Sequence, residues 1–121
     1  LRAVLADPRA DGMARARARK SLAKTLLRAG RVDEAESLLS DCLSHFLSEE
    51  ARAGLDCRWA CGTRLNLSSV LRARGEHALA AQQLQIVVSR YRDKLGDDNR
   101  DTLAAVATWG RCLVEAGRGD E

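Results

Sequence analysis

A chain of 121 residues with 45% hydrophobic and 31% charged side chains has the size and balance of a single soluble globular domain. Its 20 basic and 17 acidic side chains leave a net charge of +3, so the molecule is only mildly basic and the placement of charge matters more than its sum. No apolar run approaches the ~20 residues of a membrane span and nothing at the start reads as a signal peptide, which makes the cytoplasm the expected location.

With two Trp, one Tyr and one Phe, the core has to be built from Ala, Leu and Val, which suits closely packed helices better than stacked sheets. A single proline, Pro8, and abundant Ala, Leu, Arg and Glu point the same way. The four cysteines are expected as free thiols, because a core of this size needs no covalent staples.

Taken in order, Leu1 to Ala6 is apolar at helical spacing and stops at Asp7-Pro8. The stretch from about Gly12 to Ala29 predicts a helix that buries Ala14, Ala18, Leu22, Ala23 and Leu26 and turns Arg15, Arg17, Arg19, Lys20, Lys24 and Arg28 outward. Gly30 then suits a left-handed cap, and Asp33 and Glu34 suit the positive end of the next helix. That helix, about Val32 to Leu47, is expected to bury Ala35, Leu38, Leu39, Cys42, Leu43 and Phe46, with a break near Ala51 to Gly54.

A second hairpin follows the same plan. Its first helix begins near Leu55, carries Trp59, Leu65, Leu67, Val70 and Leu71, and ends at Gly75. Its second, about His77 to Lys94, is expected to bury Leu79, Ala80, Leu84, Val87, Val88 and Tyr91. Asn99 is a good N-cap for a last helix reaching Ala116, with Gly117 where the third turn should fall.

The glycines Gly30, Gly75 and Gly117 lie 45 and 42 residues apart, and their flanks keep step: Leu22-Ala23-x2-Leu26, Leu67-Ser68-x2-Leu71 and Trp109-Gly110-x2-Leu113 before them, Ala35-x3-Leu39 and Ala80-x3-Leu84 after the first two. This pattern resembles the tetratricopeptide repeat (TPR), and Leu95 to Val106 is similar to the inter-repeat segment of its longer, kinesin-light-chain-like subclass. The pattern departs from the family in having no proline at the end of the second helix and Leu at its aromatic positions. The resemblance implies an all-α fold, a right-handed α-solenoid of antiparallel helix hairpins in one domain spanning residues 1–121. Residues 1–10 would close a preceding helix, 11–50 and 51–96 form two repeats, and 97–121 supply the first helix of a third, as a piece of a longer array.

What the resemblance implies for function is a protein-interaction scaffold without catalysis. First helices line the family's concave groove, and the matching positions are Arg17, Lys20, Lys24, Arg28, Asn66, Ser69, Arg72, Arg111 and Glu115. A groove so lined favours a partner protein or peptide rich in carboxylates, or another segment of the same full-length chain. The alternative role is a sensor or autoinhibitory module of a larger bacterial regulator or signalling NTPase. Lys20 and Asn66 match the family's chaperone-tail clamp while Lys24, Ala104 and Thr108 do not, so that ligand is not implied.

No phosphate loop, nucleophile elbow or HExxH spacing is present, so neither an enzyme nor a cofactor is expected. Cys42, His45, Cys57 and Cys61 sit at helical spacings that could compose a zinc site, against the simpler reading of small packed side chains. Cys112 is expected to be buried and His77 solvated. The basic run Arg15 to Lys20 has no aromatic neighbours in sequence, which disfavours nucleic acid. A face built from Val106, Trp109 and Leu113 is expected to lie uncovered and to self-associate, or to pair with Leu1 to Leu5.

Overall fold

The computed structural model describes residues 12–119, which form five α-helices and no strand: α1 (Gly12–Arg28), α2 (Val32–Ala53), α3 (Arg58–Ala73), α4 (His77–Leu95) and α5 (Arg100–Gly119). This is an all-α helical-repeat architecture. It divides within α3 into two compact units, Leu1–Thr63 and Arg64–Glu121.

In the first unit α1 packs on α2. The turn between them closes as a Schellman motif: Gly30 takes φ 82°, its amide donates to the Leu27 carbonyl at 3.1 Å, and the Arg31 amide donates to Leu26 at 2.9 Å. A β-carbon at this φ would clash with its own backbone, so glycine is required by conformation and not by crowding, since nothing lies within 4 Å of the site it would fill. The core is Ala16, Cys42, Phe46 and Ala60, with Met13, Leu43, Leu47, Leu55 and Trp59 packed around it. Phe46 is fully buried, and burying a side chain of that kind stabilises the fold by roughly 1.5–3 kcal/mol.

The second unit repeats the turn at Gly75, with φ 78°, Gly75 donating to Arg72 at 3.0 Å and Glu76 to Leu71 at 2.8 Å. Its core joins Ala80, Ala81, Leu84 and Cys112, with Leu65, Leu71 and Trp109 against them. The N-cap expected at Asn99 is present: its Oδ1 accepts from the Asp101 amide at 2.9 Å.

Several expectations need correction. Gly117 is not a turn, because α5 runs through it to Gly119 and it lacks the positive φ of Gly30 and Gly75. Those two glycines are each followed, five residues on, by an alanine buried in its unit, Ala35 and Ala80. α2 does not stop at Leu47: Glu49 to Ala53 are good helix formers and Arg52 pairs with Glu49 one turn back, while the break falls within the expected stretch, at Gly54, in the left-handed conformation at φ 70°.

On α1 the buried register is Ala16, Ala18 and Ala23, with Ala14, Leu22 and Leu26 half-buried. Leu79 is exposed on the first turn of α4 and Ala81 is buried in its place. Trp109 is not part of an uncovered face, since it packs into the second core. Leu1 to Leu5, expected as a pairing surface, and the Pro8 turn lie outside the described residues.

Candidate partner-binding surface

The amino-terminal unit presents its charge along α1. At 100° per residue, Arg17, Lys20, Lys24 and Arg28 fall within an arc of roughly 80° and span about 16 Å of helix. Arg17, Lys24 and Arg28 are exposed and Lys20 is half-buried. Among the described residues no ion pair joins any of the four to an acid. Three arginines elsewhere in the unit are neutralised locally: Arg31 by Glu34 at 2.6 Å, Arg52 by Glu49 and Arg58 by Asp56 at 2.9 Å.

The upper part of this row rests on an aromatic side chain. Arg17 Cζ lies 5.9 Å and Lys20 Nζ 6.0 Å from the centroid of the half-buried Trp59 ring. Cations over an indole face are attracted by its quadrupole. Trp59 is in turn fixed by Phe46, with centroids 5.5 Å apart and planes tilted by 39°. Burial, more than the neighbouring Lys24, holds the Lys20 amine below the ordinary lysine range, and Cys42 opposes both. One turn past Trp59, Gly62 leaves the space that Lys20 uses: a β-carbon there would come within 2.9 Å of Nζ.

Sequence reasoning missed both Trp59 and Gly62 as parts of this surface. The view that the Arg15 to Lys20 run lacks an aromatic neighbour holds in sequence and fails in space.

The carboxy-terminal unit treats its candidate residues differently. Arg72 donates to Glu115 in a bidentate pair, Nε to Oε2 at 3.1 Å and Nη2 to Oε1 at 2.7 Å, and His77 Nδ1 lies 3.1 Å from Oε2. Hydrogen bonding to Arg72 holds Glu115 below the usual carboxylate range and Arg72 above its own. His77 is thus half-buried on an acid and not a solvated turn residue. Arg111 Nη2 donates to Thr108 Oγ1 at 3.4 Å and stays exposed. The exposed Ser69 donates to the Leu65 carbonyl, and the half-buried Asn66 keeps a shielded Nδ2 that makes no hydrogen bond.

Cys42, Cys57, Cys61 and Cys112 are free and buried. The Cys42 thiol donates to the Ala16 carbonyl at 3.2 Å, and burial pushes its pKa up, as it does for Cys112. His45 lies edge-on to Phe46 with its ring against Gly12. Among the described residues no three His, Cys, Asp or Glu side chains are grouped to hold a metal. No helix among them is long and apolar enough to cross a membrane.

Residues 61–101 match a family model described as tetratricopeptide repeat, a segment that takes in most of α3, the Gly75 turn, α4 and the start of α5. The similarity therefore falls on one helix-turn-helix unit and its link to the next helix. No curated protein and no solved structure matches the chain.

Proposed function

We propose that the chain is a non-catalytic protein-interaction module that binds an acidic segment of a partner along the α1 face. Repeats of the matched family generally mediate interactions between proteins, and an extended helical surface suits that role. The observation that carries the reading is the row Arg17, Lys20, Lys24 and Arg28, which among the described residues has no internal counter-charge while Arg31, Arg52 and Arg58 do. Carboxylates at an extended or helical peptide spacing complete it, Arg by paired hydrogen bonds and Lys as a point charge.

In the second unit the exposed Ser69 and Arg111 are available to a partner, Asn66 offers a partner only what its shielded Nδ2 leaves exposed, and Arg72 becomes available only when Glu115 is displaced. The reading extends to repeats at 11–50 and 51–96 with a third opened at 97–121, of the longer kinesin-light-chain-like kind. A glutamate-rich peptide bound to the wild type and to Lys24→Glu/Arg28→Glu tests it by calorimetry. Affinity is expected to fall by about tenfold or more in the double variant and to weaken with salt; equal affinity for both proteins rejects it.

A second mode is favoured by α5, where Leu103, Leu113 and Val114 are 55%, 49% and 53% exposed and line up with Val106 and Gly110 at helical spacing. We propose self-association through this face. Sedimentation is expected to show a concentration-dependent dimer that Leu113→Glu/Val114→Glu abolishes; a strict monomer at millimolar concentration excludes it.

A further inference from the structure

We propose that Arg17, Lys20 and Trp59 form a subsite for a single anionic oxo group, a carboxylate or a phosphate, carried by the bound partner segment. The inference rests on the acidic-partner reading above and narrows it to one anchoring point at the start of the α1 row.

Three independent features converge there. Both cations lie over one ring, at 5.9 Å and 6.0 Å from its centroid, so the ring gathers the two charges at one place before any ligand arrives. Trp59 itself is backed by the fully buried Phe46, which fixes its position. Gly62 provides the gap in which the Lys20 amine sits, and any larger residue would push that amine out of place. An amine that is partly stripped of water and has no counter-ion among the described residues gains more from an arriving anion than a solvated one does. The anion can lie between guanidinium and ammonium, accepting from both, while an apolar neighbour in the partner rests on the exposed part of the indole.

The same geometry argues against a nucleobase. Stacking needs an open aromatic face, and the Trp59 ring already has Arg17, Lys20 and Phe46 around it.

Trp59 reports on its own site. In the full chain carrying Trp109→Phe, indole emission comes from Trp59 alone. This protein is titrated with a glutamate-rich peptide, the same peptide with one phosphoserine, an alanine-substituted control, and oligothymidylate. The expected result is saturable displacement of Trp59 emission by the first, the second or both, and by neither of the others. The stronger of the two identifies carboxylate or phosphate as the preferred group. Arg17→Gln/Lys20→Gln is expected to lower that affinity by about tenfold. Gly62→Leu is expected to lower it less while far-ultraviolet dichroism and the unfolding midpoint confirm a folded chain.

If the acidic peptides bind and lose affinity in Lys24→Glu/Arg28→Glu, yet leave Trp59 emission and Arg17→Gln/Lys20→Gln affinity unchanged, the subsite is wrong and the broader reading stands. If they do not bind, both fall. Oligothymidylate that moves Trp59 emission overturns the subsite in favour of nucleic acid.

Discussion

At Gly30 the Arg31 amide reaches back to Leu26 at 2.9 Å, and at Gly75 the Glu76 amide reaches back to Leu71 at 2.8 Å, so both units close their hairpins with the same hydrogen bonds and the same left-handed glycine. Charge is handled in opposite ways. The amino-terminal unit leaves four cations on α1 without acidic partners among the described residues, whereas the carboxy-terminal unit locks Arg72 onto Glu115 and sets His77 against the same carboxylate. A backbone plan that is repeated can therefore carry a surface that is not. The turn depends on one glycine and a few amides, while each surface depends on which distant side chain happens to face it.

The largest expected effect tests whether the two cores are comparable. Phe46→Ala removes the central side chain of the first core and is expected to cost about 3–5 kcal/mol, and Leu84→Ala about 2–5 kcal/mol in the second. Trp59 and Trp109 lie in separate units, so urea unfolding of the two single-tryptophan variants reads each core through its own indole. Phe46→Ala is expected to lower the Trp59 midpoint. A Trp59 midpoint that stays put would show that Phe46 does not organise its unit.

Next come the glycines, which sharpen the likeness of the turns. Gly30→Ala and Gly75→Ala should each destabilise by about 1–2 kcal/mol, because an L-residue must enter the left-handed region there. Gly117→Ala should do the reverse, adding up to about 1 kcal/mol, since its position is helical and its β-carbon would meet open space. Destabilisation by all three, measured by thermal unfolding, would restore Gly117 as a third turn. A cap comes after these: Asn99→Ala should cost about 1 kcal/mol in the second unit alone, read from the Trp109 transition.

These contrasts also mark how far the sequence could be read. The Gly30 and Gly75 turns and the Asn99 cap were legible because each is decided by residues within one or two turns of helix. Gly117 misled for the same reason: a glycine with helical residues before it looks like a cap, and what makes it one is the left-handed φ that Gly30 and Gly75 adopt and Gly117 does not. Leu79 misled because a leucine beside Ala80 looks like part of the same buried stripe, whereas the second core takes Ala80 and Ala81 and leaves Leu79 exposed. Surface chemistry was the least legible part. Trp59 lies about forty residues from Arg17 and Lys20, and Glu115 lies 43 from Arg72, so no local pattern links them. Arg17 and Arg72 look alike in the sequence, and only their spatial neighbours make one available and the other engaged.

The smallest expected effect separates the units by pH. Glu115 titrates below an ordinary carboxylate, chiefly through its hydrogen bonds to Arg72, so its ionised form is favoured in the fold. The stability it contributes is complete above the unfolded value of about 4.3 and is lost as pH falls through the lower folded value. Lys20 has the opposite sense. Its folded value is depressed mainly by burial, so between that value and the unfolded value of about 10.4 the unfolded chain binds more protons and stability rises with pH. Glu115→Gln should flatten the acid limb reported by Trp109 without moving that of Trp59, and Lys20→Gln should flatten the alkaline limb reported by Trp59 without moving that of Trp109. An acid limb at Trp109 that survives Glu115→Gln would assign that unit's pH dependence to another carboxylate. Arg72 would then be held too weakly by Glu115 to be withheld from a partner, and the electrostatic contrast between the units would disappear.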